Sequence, residues 1–352
     1  MRHTLIAYSA LILSLSINTH AAPPSVAVDI APLHSLVSQV MEGVGQPSLL
    51  IPAEAFPHHH TLRPSQAKAL ADAEVVFWMG EGITPWLEKA LDNLAGSAVK
   101  VEVLEIEGIT TYAFREGATF ESHDHGEDEH HKDEHHEKGE HHDKEKDEHH
   151  EKGEHHDKEK DEHHNNDEHH DKEKGEHHDE HEGNDPHAWL DPENAKLWVN
   201  YINDILSKQD PENASTYNYN AAKATASLDA LIRSTRTKID ALSKPQFIVF
   251  HDAYQYFEKR FDIPAAGSIT LGDAEDPSPA RIKEIRDTVK KLGVTCVFTE
   301  PQYNPGLVKN VFQDTTISVI GVMDPLGASL ATGSGHYQEL IEGMVKSLSQ
   351  CQ

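Results

Sequence analysis

Three scarcities in the sequence limit what this chain can be. It has only two cysteines, Cys296 and Cys351, and their spacing fits neither a redox CxxC motif nor a zinc ribbon. Its 60 acidic residues outnumber its 31 lysines and arginines and no stretch is basic, which argues against nucleic acid as a partner. No segment after the first residues is apolar enough to cross a membrane. What remains is an acidic chain of 352 residues, a length that predicts two or more domains.

The first residues are typical of an export signal. The apolar stretch Leu5–Ile17 is too short to span a bilayer, and Thr19 and Ala21 place small residues at the −3 and −1 positions of a cleavage site. The sequence therefore predicts a signal peptide over residues 1–21. No cysteine directly follows the predicted cut, which argues against a lipid anchor.

Export also bears on the two cysteines. In an oxidising compartment an even pair favours a disulfide, and a Cys296–Cys351 bond would tie the extreme C-terminus to an internal strand. Two unpaired thiols are the alternative that the residues leave open.

Between residues 121 and 184 the chain consists almost entirely of His, Asp, Glu, Lys and Gly. The sequence DEHHEKGEHHDKEK occupies Asp133–Lys146, recurs unchanged directly afterwards, and is followed by a degraded third copy. The segment contains 19 of the chain's 28 histidines. Residues 121–185 hold 28 acidic residues and nine lysines, and so account for −19 of the net charge of −29. The rest of the chain is therefore an ordinary acidic globular protein.

This His-rich insert (121–184) points to metal handling. Neutral imidazole is a common ligand for zinc, and carboxylates can complete its shell. The insert has almost no apolar residues, so we expect it to be disordered without metal, because it cannot bury enough surface to offset the entropy of ordering. We interpret it as an auxiliary, low-affinity zinc collector. A solvated spacer with incidental affinity is the alternative.

Outside the insert, short apolar runs alternate with helical patterns, which predicts an α/β protein. Strands are predicted at Ser25–Ile30, Ser48–Ile51, Glu74–Met79 and Val99–Leu104, and again at Gln246–Phe250, Ala265–Ser268, Val294–Thr299 and Ile317–Val322. We therefore expect two lobes, each a roughly four-stranded, mostly parallel sheet with flanking helices.

A long helix is predicted between the lobes. Asp191-Pro192 and Asp210-Pro211 each combine an N-cap aspartate with proline at the first helical position. The first pair would open a helix that ends near Lys208, and the second would open a longer helix to about Leu242. The predicted domains are an N-terminal lobe over 22–209, a rigid linking helix over 210–243 and a C-terminal lobe over 244–352.

Four polar residues follow predicted strands or the insert, at the edges where ligands collect in open α/β sheets. They are His58 after the second strand, His187 where the insert ends, His251 after Gln246–Phe250 and Asp324 after the last strand. Three imidazoles and one carboxylate between the lobes would suit zinc. Each residue alone has a plainer interpretation, since a histidine at a strand end is more often structural and Asp-Pro is commonly a turn.

Four segments together resemble one family. They are His58…Leu62-Arg63-Pro64-Ser65, DPHAWLDP at Asp185–Pro192, FHDAYQYF at Phe250–Phe257 and DPLG at Asp324–Gly327. In this order, with an acidic His-rich loop in the same place, they resemble the periplasmic zinc-binding components of high-affinity zinc ABC importers, the ZnuA type. The resemblance covers essentially the whole mature chain. It implies a monomeric periplasmic receptor, not an enzyme, that carries zinc to an inner-membrane permease with its ATPase.

The resemblance also implies a ligand set. His58, His187 and His251 take the family's three zinc-ligand positions. The fourth position falls to Asp324 or to water, because Pro57 stands where some members carry glutamate. Manganese-selective relatives usually place glutamate at the position of His251, so a third imidazole favours zinc. The two cysteines also fall where some zinc members have a disulfide.

Several functions compete. They are a zinc receptor for an importer, a receptor of the manganese type, a periplasmic buffer or surface metal-binding protein, and a zinc hydrolase. The chain has no HExxH motif and no second catalytic carboxylate placed by spacing, which argues against the hydrolase. A buffer has no need of an ordered two-lobe framework, so the importer function is preferred.

Overall fold

The computed structural model describes residues 22–115, 183–270, 277–303, 305–313 and 315–351. The predicted signal peptide and nearly all of the His-rich insert lie outside these ranges and stay predictions. Within the ranges, no helix combines the length and the hydrophobicity that a bilayer crossing requires.

The first part of the chain forms a four-stranded parallel sheet with the strand order β2-β1-β3-β4. Its strands are β1 Val26–Val28, β2 Ser48–Leu49, β3 Val75–Trp78 and β4 Val99–Glu102, and its helices are α1 Ala31–Val40, α2 Pro64–Ala71 and α3 Leu87–Leu94. Every residue of β1 and β3 is buried. These two strands are continuous apolar runs, as is usual for central strands of a parallel sheet that is covered on both faces.

Two helices follow this sheet, α4 at Pro192–Gln209 and α5 at Ala214–Asp240. Asp191 caps α4, since its carboxylate accepts a hydrogen bond from Glu193 N at 2.9 Å. Helix α5 begins at Ala214 rather than at the predicted Asp210-Pro211. The Asp210 carboxylate is instead held by Asn213 Nδ2 at 2.8 Å and Tyr217 Oη at 2.9 Å, so it organises the turn between α4 and α5.

The last part of the chain forms a second parallel sheet with the equivalent order, β6-β5-β7-β8. Its strands are β5 Phe247–His251, β6 Gly267–Thr270, β7 Cys296–Thr299 and β8 Val319–Val322, and its helices are α6 Gln255–Phe261, α7 Pro279–Leu292, α8 Pro305–Val311 and α9 His336–Leu348. The predicted fold class is confirmed. Helix α5 packs against α1 and α4 and also against α6 and α9, so it contacts helices that flank both sheets.

The predicted disulfide is present. Cys296, the first residue of β7, is bonded to Cys351 just beyond α9, with 5.8 Å between their Cα atoms. At the other end of α9, Tyr337 N donates a hydrogen bond to Ser35 Oγ of α1 at 3.0 Å. The last helix is therefore fixed to the second sheet at one end and to the first sheet's helix at the other.

Replacing both cysteines by serine is expected to lower the free energy of unfolding by about 2–4 kcal/mol, because the disulfide shortens a long loop in the unfolded chain. Urea unfolding measures the loss. The matched control is wild-type protein unfolded in the presence of a reductant. Its free energy of unfolding should fall by the same amount relative to the oxidised protein. Equal stability of the oxidised wild type and the double variant would contradict this prediction.

Candidate metal site

Three of the four predicted ligands line one small cavity of about 20 Å³ at the C-terminal edges of the two sheets. They are His58 in the turn Pro57–His59 after β2, His187 directly before the turn Ala188–Leu190, and His251 at the end of β5. The walls also include Phe56, Trp189 and Tyr303. A cavity of this volume has room for about one water-sized sphere. The cavity is therefore the right size for a single ion among imidazoles.

His187 and His251 form a close pair inside this cavity. Their Nε2 atoms are 3.4 Å apart, and the residues are only 5% and 4% exposed. Each Nδ1 atom is held by a buried carboxylate: His187 Nδ1 lies 2.7 Å from Asp185 Oδ1, and His251 Nδ1 lies 2.6 Å from Glu300 Oε1. Both rings are thus fixed from behind while their Nε2 atoms face each other.

The two carboxylates decide which nitrogens can meet an ion. Because Nδ1 of each ring is bound to a carboxylate, Nε2 is the atom that each ring turns toward the other. With both Nδ1 atoms donating, both Nε2 atoms can bind one metal ion. Two nitrogens bound tetrahedrally to zinc at about 2.0–2.1 Å are about 3.3–3.4 Å apart. The observed separation of 3.4 Å is therefore the one that two ligands of a tetrahedral zinc ion need.

The positioning roles of Asp185 and Glu300 were not predicted. Asp185 also accepts hydrogen bonds from His187 N at 3.0 Å and from Gln255 Nε2 at 3.1 Å, which fixes its carboxylate. Glu300 directly follows β7, a strand-edge position equivalent to that of His251 in β5. The same edge argument would have selected it. Carboxylates behind ligand imidazoles raise ligand basicity and hold the ring orientation.

Substituting Glu300 by glutamine is expected to weaken zinc binding about 10–100-fold, because the neutral amide no longer supports His251 as a ligand. Competition with a chelator strong enough to strip weaker sites gives the affinity. Glu284→Gln, at an exposed position on α7, is the matched control and should leave zinc affinity unchanged. If the zinc affinity of Glu300→Gln equals that of the wild type, Glu300 has no role in zinc binding.

His58 reaches the cavity on a loop of the first sheet. Trp86 Nε1 donates to Pro57 O at 2.7 Å, and Phe56 meets Tyr303 edge-on with ring centroids 5.5 Å apart. Among the residues that the structure describes, no three His, Cys, Asp or Glu side chains lie close enough together to hold a metal ion. The structure therefore brings His58 to the same cavity as the imidazole pair but does not close a three-ligand cluster.

Three of the other four histidines in the described residues are held by oxygen atoms. His60 Nε2 lies 3.1 Å from Gln66 Oε1, while His59 is exposed. His34 Nε2 lies 3.0 Å from Pro47 O, and His336 Nε2 lies 2.8 Å from Leu326 O. His34 and His336 are therefore held by carbonyl oxygens, as expected for helix-start residues rather than ligands.

Asp324 lies two residues beyond the end of β8, where its carboxylate organises the following turn. It accepts hydrogen bonds from the backbone N–H groups of Leu326 at 3.0 Å, Gly327 at 2.9 Å and Ala328 at 2.6 Å. Of the described residues in this turn, Pro325 and Leu326 line the cavity and Asp324 does not. Burial and the nearby charges of Glu300 and Asp324 raise the pKa of Tyr254 well above its usual range. Asp324 is thus near the site, with oxygens already engaged.

Comparison with known proteins shows the family of the chain. Residues 26–351 match the family described as ZnuA, zinc-uptake complex component A periplasmic. The high-affinity zinc uptake system protein ZnuA of Brucella abortus is 46% identical over 326 residues, which cover 93% of this chain and 91% of the relative. The protein of the same name from Paracoccus denitrificans is 41% identical over 352 residues and 99% of each chain.

A solved structure agrees at the level of the fold. A ZnuA deletion mutant with zinc bound has a TM-score of 0.66 at 20% identity, covering 94% of this chain and 98% of that one. Because the family match spans nearly the whole chain, and both relatives are well above 30% identity over almost all of it, the protein belongs to the ZnuA family of periplasmic zinc-uptake components.

Proposed function

We propose that the protein captures zinc in the periplasm as a monomer and delivers it to an inner-membrane ABC permease with its ATPase. The observation that carries the proposal is the buried pair His187 and His251, with Nε2 atoms 3.4 Å apart and each Nδ1 held by a carboxylate. Relatives named as high-affinity zinc uptake proteins support zinc as the cargo. So does the related deletion mutant described with zinc bound.

The proposed ligands are His58, His187 and His251, with Asp324 or water in the fourth position. The pair supplies two imidazoles, and His58, which lines the same cavity, would supply the third. Three nitrogen ligands favour zinc over manganese, which prefers oxygen ligands. The apolar walls of the cavity would strengthen the bonds by excluding water.

Zinc uptake in the native bacterium tests the function. Loss of the gene is expected to reduce uptake of radioactive zinc at low external zinc, and the wild-type gene, but not one encoding the double substitution His187→Ala and His251→Ala, should restore it. Removal of the permease should abolish the benefit of the wild-type gene. Uptake that depends on the gene even without the permease would favour the metal-buffer alternative instead.

Asp324→Ala addresses the fourth ligand. If Asp324 binds zinc, the variant should lose at least about 10-fold in zinc affinity and some selectivity over manganese. Asp324→Asn is the matched control, because its amide oxygen can still accept hydrogen bonds from the turn while the charge is gone. An Asp324→Asn variant with wild-type zinc affinity and selectivity would leave water as the fourth ligand and the turn as the role of Asp324.

A further inference from the structure

Two buried carboxylates, Asp252 and Glu258, share one arginine, Arg115, which precedes the His-rich insert in the chain. Asp252, next to His251, and Glu258, on α6, are only 6% and 3% exposed. Arg115 Nε donates to Asp252 Oδ2 at 3.0 Å, and its Nη1 and Nη2 atoms donate to the two oxygens of Glu258 at 2.7 and 3.0 Å. Buried charges are destabilising by several kcal/mol unless they are paired. Asp252 and Glu258 are therefore stabilised by a residue from outside the second sheet and its helices.

The chain on either side of the insert is tied together at the same place. Ala113 forms an antiparallel bridge with Asn184, and Asp185 N donates to Tyr112 O at 2.7 Å. Helix α6 bonds to both ends, since Gln255 Nε2 donates to Ala113 O and to Asp185 Oδ2, each at 3.1 Å. The chain segment around Ala113, the segment around Asn184 and the start of α6 thus form one hydrogen-bonded unit.

This unit connects the two imidazoles. His251 is followed by Asp252, and Asp252 is bound by Arg115. Two residues before Arg115, Ala113 is bridged to Asn184. The next residue, Asp185, holds His187. We propose that Arg115 is a positioning residue for zinc, which acts through Asp252 and the Ala113–Asn184 bridge to hold His187 opposite His251. The inference rests on the proposed function, because it assumes that this pair binds zinc.

Arg115→Met is expected to weaken tight zinc binding about 10–100-fold in the full mature chain, measured by chelator competition. The Co²⁺-loaded protein gives a second readout, since the intensity of the visible ligand-field bands reports tetrahedral geometry and should fall. Arg115→Lys keeps the positive charge that the buried carboxylates require. It loses the planar guanidinium, whose several N–H groups reach both carboxylates at once. It should show an intermediate affinity.

Two further variants separate positioning from stability. The triple variant Arg115→Met, Asp252→Asn and Glu258→Gln leaves no unpaired buried charge, yet should still bind zinc weakly. Arg260→Met is the matched control: it breaks another α6 ion pair, in which Arg260 Nη2 lies 2.6 Å from Asp191 Oδ2. It should keep the wild-type zinc affinity and Co²⁺ spectrum.

Wild-type affinity and Co²⁺ spectra in both Arg115→Lys and the triple variant would overturn the positioning role. An equal loss in Arg260→Met would also overturn it, by tracing the effect to the general stability of α6. Failure of the proposed function has a different signature, because the wild-type protein itself would then show no tight zinc equivalent.

Discussion

Replacing His187 or His251 by alanine is expected to abolish tight zinc binding, with a loss well beyond the 10-fold minimum typical for damage to a metal shell. Either substitution removes one of the two imidazoles whose Nε2 atoms meet in the cavity. It also leaves Asp185 or Glu300 buried without the imidazole that it holds, which destabilises the site around the other ring. Calorimetry on a mature chain lacking residues 121–181 measures the loss without interference from the insert's imidazoles.

Intrinsic fluorescence offers an independent measurement. The ring centroid of Trp189 lies 5.2 Å from that of His187, so zinc in the cavity should change its emission. His59→Ala is the matched control, because His59 is exposed on the same turn as His58 and should keep full affinity. Unchanged zinc affinity in both His187→Ala and His251→Ala would remove the pair from the site.

The sequence was a good guide to the fold because the sheets are parallel and buried. Buried parallel strands are continuous apolar runs, and Gln246–Phe250 differs by one residue at each end from the observed Phe247–His251. The strand-edge rule depends only on where a strand ends, and it selected His58 and His251, which line the same cavity. His187 follows no strand and was selected by its place at the end of the insert. Local signals also gave the capped start of α4 at Asp191.

Pairings between distant segments cannot be predicted from local patterns. The strand-edge argument could have selected Glu300, but nothing local pairs it with His251, or Arg115 with Glu258, because these contacts form only when separate strands and loops pack together. Local rules also failed at Asp210, where an aspartate before proline organises a turn instead of capping α5. The hydrogen bonds by which Asp324 forms its turn could not be predicted either. The same Asp-Pro pattern is compatible with a metal ligand and with a turn.

Deleting residues 121–181 is expected to remove several weak zinc equivalents and leave one tight equivalent unchanged. The insert holds 19 histidines, and its composition predicts no packed core. Each zinc ion bound there would have to order part of the chain, and this entropy cost weakens the binding. The imidazole pair is already fixed by carboxylates. The deletion should end before residue 183, because Asn184 bridges Ala113 and Asp185 holds His187.

Replacing the insert's histidines by asparagine keeps the length and charge of the insert and removes its imidazoles. This variant shows whether zinc binding by the insert depends on imidazole or only on the presence of an acidic chain of this length. The weak equivalents should vanish in this variant as they do on deletion, because asparagine does not provide an imidazole ligand. In the wild type they should be lost as the pH falls below about 6, since imidazole with its ordinary pKa of ~6.5 must be neutral to bind zinc.

Tethered zinc would be held near the cavity at high effective concentration, so loading at low zinc should slow in both variants. If the tight equivalent disappears with the insert while the weak ones persist, the insert is the transport site and the cavity is not.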